Sequence, residues 1–276
     1  MSDRTEPPLL VALDVDGTIV GHDLSLSDRV LKAVRAVVEA GHHVVVATGR
    51  SAAGVRPVLA DLGLDTGYLV ASNGAVTLAL DPSLPGGATT VDVVTFDPAP
   101  ALALLRDDLP QAAYAVEEPS GAVLVAGPFP EGELTGDLRQ VEFDELAGTA
   151  ATRVVVRSPE HTPQEFVELT ERVGLKGVNY AVGWTAWLDL APEGVSKASA
   201  LEGVRRRLRV PAERTVAVGD GRNDLEMLAW AHRSVAMGQA PDEVRAAAGE
   251  VTAPVEEDGL ADVLEGLLPD GPVAGA

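Results

Sequence analysis

The sequence predicts an α/β protein: a doubly wound parallel sheet interrupted by an inserted α+β domain. Three observations predict it. Continuous apolar runs recur at residues 9–15, 43–48 and 215–220, as expected for strands buried on both faces of a parallel sheet. Stretches with helical periodicity separate the first runs, and strand–helix–strand–helix–strand at that spacing favours right-handed parallel winding. Between about 81 and 188 the pattern changes to short alternating strands that outnumber the helices, the mark of a different module.

Taken in order, the run Leu9-Leu-Val-Ala-Leu-Asp-Val15 opens the core. A helix follows, with Ser27 placed to cap its start, Val30, Val34, Val37 and Val38 at helical spacing, and Gly41 where the chain must leave it. A second buried strand, His43–Thr48, leads to a helix near 51–62 and a strand at 67–72 that ends in Ser72-Asn73-Gly74. The segment Asp81-Pro82-Ser83-Leu84-Pro85-Gly86-Gly87 reads as a break. Beyond it the expected strands are 91–96, 111–116, 121–125, 153–157, 177–182 and 185–190. The expected helices, 98–109 and 162–173, each carry proline near the first turn. From 196 the core rhythm returns with a helix to 208, the strand 215–220, a helix at 223–231, a short strand at 234–238 and further helices. The division is therefore a core of 1–80 plus 188–276 with an insert of 81–187. The tail Pro269–Ala276 is expected to be disordered.

Composition narrows the function classes. With no cysteine in 276 residues, disulfides, thiolate catalysis and cysteine-held zinc or iron–sulfur clusters are excluded. A net charge of −21 opposes a nucleic-acid backbone, whose binding needs many Lys and Arg contacts; solubility is its plainer meaning. The polar start and the early Asp14 do not suit a signal peptide. No stretch reaches the roughly 18 apolar residues of a membrane span, so the expected location is the cytoplasm. Lysine occurs only at 32, 176 and 197, which makes a lysine beside a motif informative. Nothing in the sequence sets an oligomeric state.

Ligands of doubly wound sheets bind beyond the carboxyl ends of the strands, and four segments at such positions carry reactive groups. In Asp14-Val15-Asp16-Gly17-Thr18, two carboxylates can face one crevice while Gly17 permits a tight exit turn. One carboxylate can attack phosphorus and form an aspartyl-phosphate; the other can protonate the leaving oxygen and later deprotonate water. A calcium loop would need a further ligand and a flanking helix, and helix capping explains one aspartate but not two. In Thr48-Gly49-Arg50, a hydroxyl and a free amide at a helix start suit a phosphate oxygen, although both residues are also ordinary in turns and caps. In Gly194-Val195-Ser196-Lys197, a cation in the first turn opposes the helix dipole; it is either a solvated surface lysine or a partner for Asp14 and a phosphate oxygen. In Gly219-Asp220-Gly221-Arg222-Asn223-Asp224, Asp220 is either part of a capped turn or a carboxylate that, with Asp14, holds magnesium through oxygen ligands.

Together with Ser72-Asn73-Gly74-Ala75, these segments resemble, in order and spacing, the haloacid dehalogenase superfamily, in particular its Cof-type phosphatases with a large C2-type cap. The resemblance implies a Rossmann-like core and a cap inserted into it. It implies Asp14 as nucleophile and Mg2+ ligand, Asp16 as acid/base with its carbonyl toward the metal, Thr48 and Lys197 on the phosphoryl group, and Asp220 as a further ligand. Asp224 would support the ligands, while Gly49, Arg50, Asn73, Gly74 and Asn223 would lie on the substrate side. A carboxylate at 16 favours hydrolysis, since relatives that only hold the aspartyl-phosphate carry threonine there. The expected activity is hydrolysis of a small phosphorylated metabolite, a sugar phosphate foremost. The alternatives are a sugar-phosphate mutase and, more remotely, a binding module without catalysis. Nothing in the insert names a substrate. Trp184 and Trp187 either line a pocket or pack, and packing is the better reading. Arg205-Arg206-Arg207-Leu208-Arg209 is best read as a solvated helix C-terminus rather than a patch for an anionic partner.

Overall fold

The computed structural model describes residues 7–268 apart from 22, 131–133, 135, 163, 167, 170–176 and 183–186. The expected disorder of 269–276, Trp184 and much of the helix expected at 162–173 lie outside the described residues.

Eight strands form the larger sheet: β1 (Leu10–Leu13), β2 (His43–Ala47), β3 (Gly67–Ala71), β4 (Val76–Leu80), β5 (Ala88–Val93), β12 (Thr215–Gly219), β13 (Arg233–Ala236) and β14 (Glu250–Val251). Their order is β14-β13-β12-β1-β2-β3-β4-β5. The first six are parallel and the last two are added antiparallel. Successive side chains of a strand point to opposite faces, so each buried run feeds two cores. Val11, Leu13, Val44, Val46 and Val218 pack against the helices Asp28–Glu39, Ala52–Leu62 and Gly259–Glu265. Leu10, Ala12, Val45, Ala47 and Ala217 pack against Lys197–Leu208, Leu225–Trp230 and Asp242–Ala247. Helices on both faces explain why these strands carry no polar alternation.

A second sheet is made by β6 (Ala113–Glu117), β7 (Ala122–Ala126), β8 (Asp137–Gln140), β9 (Arg153–Arg157), β10 (Val178–Val182) and β11 (Trp187–Pro192), in the order β10-β11-β9-β6-β7-β8. One face buries Tyr114, Val116, Val154, Val156, Leu188 and Leu190 against the helices Ala99–Asp108 and Phe143–Leu146. The opposite face has a small apolar patch of Ala115, Val123, Val125 and Val155. It also carries Glu117 and Arg153, which are cross-strand partners, together with Asp189.

Sheet membership corrects the expected start of the insert. Residues 88–93, assigned by the sequence to the insert, are β5, the edge strand of the larger sheet. The proline- and glycine-rich segment 81–87 is a hairpin turn joining β4 to β5, because such residues signal a change of direction and not a change of domain. At the other end, β11 runs to Pro192 within the smaller sheet. No helix among the described residues is long and apolar enough to cross a membrane.

Candidate active site

The segments singled out in the sequence meet at the carboxyl edge of the larger sheet. Asp14 follows β1, its N–H donating to Val218 O at 3.0 Å. The chain then closes a tight loop in which Ile19 N and Val20 N both bond Val15 O. Gly17 is needed there: φ is +81°, and a Cβ would lie 2.1 Å from Asp220 Oδ2. The absence of a side chain lets the loops after β1 and β12 touch.

Lys197 occupies the first turn of its helix, whose start is capped by Ser196 with Ser199. Its side chain turns inward and is fully buried. Nζ lies 2.5 Å from Asp14 Oδ1 and 2.7 Å from Asp224 Oδ1. The other oxygen of Asp224 accepts from Asp220 N at 3.0 Å and Gly221 N at 2.9 Å. Both Asp224 oxygens are therefore engaged, and the residue braces Lys197 and the loop carrying Asp220.

Oxygens of Asp14, Asp220 and Asp224 lie within 4.8 Å of one another, all three side chains buried. Burial first, and then Asp224, pushes the Asp14 carboxyl well above the ordinary carboxylate range, against the pull of Lys197. The same two causes push Asp220 up to about 7. Burial opposes the Lys197 charge, but Asp14 and Asp224 outweigh it and hold the ammonium above its usual range. Three buried carboxylates thus share one ammonium, an excess of negative charge that low dielectric makes costly. An oxygen-only donor set with that excess fits a hard divalent cation such as Mg2+.

The remaining predicted residues surround this cluster. Thr48 is buried after β2, its Oγ1 accepting from Arg50 N at 3.1 Å. Arg50 clamps Asp16 through both nitrogen–oxygen pairs, at 2.9 and 2.5 Å. The Asp16 carboxylate is exposed and stands outside the buried three-carboxylate group. Ser72, Asn73 and Gly74 all have positive φ, at 51°, 52° and 101°, a strained turn of the kind that tertiary contacts must sustain. Asn73 N donates to Thr48 O, and Asn73 Oδ1 accepts from Asn223 Nδ2 at 3.0 Å. A Cβ on Gly74 would sit 2.2 Å from Ser196 O, so this turn lets the Lys197 helix come close. Gly49 lies against the Asn73 and Asn223 side chains.

The smaller sheet adds residues that no motif announced. Glu117 is buried and accepts from Ser72 Oγ at 2.8 and 3.0 Å; burial raises its carboxyl despite Arg153 and Ser72. Arg153 bonds Asp189 at 2.6 Å, and Trp187 Nε1 donates to the other Asp189 oxygen at 3.0 Å. Trp187 meets Phe129 edge to face at 6.1 Å. A cleft lined by Asn73, Asn179, Tyr180, Asp189, Lys197 and Asn223 opens between the two sheets. The only local signal for Glu117 and Arg153 was a charge at the end of an apolar run. In the basic run, Arg205 and Arg206 pair with Glu202 of the same helix, and Arg207 approaches Asp92 at 3.7 Å.

Comparison with known proteins gives the family. Residues 11–83 and 132–264 match the family model described as haloacid dehalogenase-like hydrolase. The 5-amino-6-(5-phospho-D-ribitylamino)uracil phosphatase YitU of Bacillus subtilis is 29% identical, covering 94% of this chain and 97% of its own. A phosphoglycolate phosphatase of Halobacterium salinarum is also 29% identical, covering 94% and 96%. A solved sugar phosphatase of haloacid dehalogenase subclass IIB shares the fold at a TM-score of 0.80, with 23% identity over 94% of this chain and 98% of that one.

Proposed function

The chain belongs to the haloacid dehalogenase-like hydrolases and is a phosphatase of the Cof type; from that premise we propose that it hydrolyses a small phosphorylated metabolite, a sugar phosphate foremost, with Mg2+ as its metal and Asp14 as its nucleophile. The observation that carries the reading is the buried pairing of Lys197 with Asp14 and Asp224 beside Asp220. Phosphoryl transfer asks chiefly for neutralised charge and in-line positioning, and this cluster is built for both.

Asp14 and Asp220 would hold Mg2+ with the Asp16 carbonyl, and Asp224 would brace them. The ion would supply neutralisation of the phosphoryl oxygens. In the first step an Asp14 oxygen bonds to phosphorus as the ester P–O bond breaks, and Asp16 gives its proton to the leaving oxygen. In the second, Asp16 takes a proton from water as that water attacks phosphorus. The bond from phosphorus to Asp14 then breaks, returning the carboxylate and releasing inorganic phosphate. Lys197 orients Asp14 and balances the phosphoryl charge, and Thr48 donates to it from its buried position. Gly49, Arg50, Asn73, Gly74 and Asn223 line the substrate side. Relatives of equal identity are named for a phosphoribitylamino-uracil and for phosphoglycolate, which supports reading the Glu117, Arg153 and Asp189 face, outside the shared core, as the part that meets the leaving group. A cytoplasmic location and no nucleic-acid partner complete the proposal, consistent with a net charge of −21.

The test is phosphate release from a panel of phosphorylated metabolites by the wild type and by Asp14→Asn. Turnover is expected in the first and none in the second. Retained turnover in the purified variant would sink the mechanism, and an isomerised sugar phosphate without free phosphate would mark a mutase instead.

A further inference from the structure

Gln239 belongs to none of the strand-end segments. It lies in the turn between β13 and the helix Asp242–Ala247, yet its side chain reaches back into the carboxylate cluster. Val255 N–H donates to Gln239 Oε1 at 3.0 Å. A backbone N–H can only donate, so this bond settles which end of the amide is oxygen. The amide nitrogen then faces the site, where Nε2 donates to Gly17 O at 2.6 Å and to Asp220 Oδ2 at 3.3 Å.

One amide thus ties together three segments: the loop after β1 that follows Asp14, the loop after β12 that carries Asp220, and the stretch at Val255. The tie acts at the closest approach in the site, since Gly17 has room for no Cβ beside Asp220 Oδ2. Asp220 Oδ2 is thus held by the Gln239 amide beside Gly17, and that tie would fix how the Asp220 carboxylate faces a cation. Carboxylates that ligate metals are themselves held by hydrogen bonds, and those partners tune affinity as well as orientation.

We propose that Gln239 is a positioning residue for the metal, orienting the Asp220 carboxylate and pinning the Gly17 carbonyl so that Asp14 and Asp220 present their oxygens to one ion. This rests on the reading of Asp14 and Asp220 as the Mg2+ ligands. Gln239 touches neither substrate nor the reacting atoms. Its contribution is to join the loop after β1 to the loop that carries Asp220.

The decisive measurement is Mg2+ binding to the full chain without substrate, by isothermal titration calorimetry, in the wild type and in Gln239→Met. Methionine keeps the length and volume but has no donor. The expected result is a Kd about 10- to 100-fold weaker in a variant that still unfolds cooperatively without metal, with kcat largely regained at saturating Mg2+. Gln239→Asn, one methylene too short to span Val255 and Gly17 together, should weaken binding in the same direction, and it serves if the methionine variant does not fold. Wild-type Mg2+ affinity in the folded variants overturns the role of Gln239 and leaves the proposed mechanism standing. A wild type that hydrolyses phosphate esters but binds no Mg2+ overturns the metal reading itself.

Discussion

Lys197 and Asp14 are 183 positions apart in the chain, and their ammonium and carboxylate atoms lie 2.5 Å apart in a fully buried site. The contact joins the first strand of the core to the first helix after the insert. It therefore depends on the two halves of the core closing around the smaller domain.

Removing the cation should cost both stability and activity. In Lys197→Met, Asp14 and Asp224 would face each other without a counter-charge, and breaking a buried pair costs about 3–5 kcal/mol. Asp14, whose carboxyl burial already raises, can relieve the repulsion by taking up a proton, so the loss should be smaller at pH 5 than at pH 8. Urea unfolding at both values measures it; an equal loss at the two would contradict the electrostatic cause.

Arg50 and Asp16 make a different prediction. The two-pronged clamp aims the Asp16 carboxylate, and positioned acid–base groups contribute about 10²–10⁴-fold to rate. Arg50→Ala should lower kcat about tenfold or more on alkyl phosphates. The loss should be smaller on p-nitrophenyl phosphate, whose leaving group needs little protonation. Parallel steady-state kinetics on the two substrate types check this, and equal losses would place Arg50 on the phosphoryl group and not behind Asp16.

Gly74→Ala tests the close approach of the Ser72–Gly74 turn to the Lys197 helix. The added Cβ would lie 2.2 Å from Ser196 O at a φ of +101°, so the helix start must move. Overpacking of this kind costs about 1–3 kcal/mol, before the strain of the left-handed backbone. Thermal unfolding should show the loss, and turnover should fall with it because Lys197 is the next residue along.

Glu202 gives a pH dependence of stability away from the site. Arg205 first, helped by Trp230 and Arg206 and opposed by slight burial, lowers its carboxyl to about 2. A depressed carboxyl contributes stability that is fully present above the unfolded value near 4.5 and is lost as the pH falls toward 2. Glu202 is partly open to solvent, so screening discounts the effect to about 1 kcal/mol. Glu202→Gln should be less stable than wild type by that amount at pH 7. The difference should shrink to a small fraction in acid, as measured by denaturant titration from pH 7 to pH 2.5.

Much of the core was legible because its strands are buried on both faces. A run such as Val11–Leu13 or Val44–Val46 has no polar residue to confuse it with a surface element, and reactive groups at the ends of such runs stand out. Thr48 and Asp220 were visible for that reason, and Lys197 because lysine is scarce and a cation in the first turn of a helix opposes its dipole. The insert was harder: β5 looked like part of it because a proline–glycine hairpin resembles a domain break, and β4 and β8 gave no distinct signal. Gln239, Glu117 and Arg153 were illegible as site residues, since each is a single polar residue whose meaning comes from what faces it.

By itself, the sequence determined the doubly wound core, the presence of an insert and the chemical character of the strand ends, because periodicity and residue type act over a few neighbouring positions. Only the tertiary structure decided that Asp224 uses both oxygens to brace Lys197 and the Asp220 loop, that Arg50 clamps Asp16, and that a glutamine amide ties Gly17 to Asp220. Those are relations between segments up to 222 residues apart. Hydrogen bonds of about 3 Å are satisfied only when the whole sheet has placed both partners.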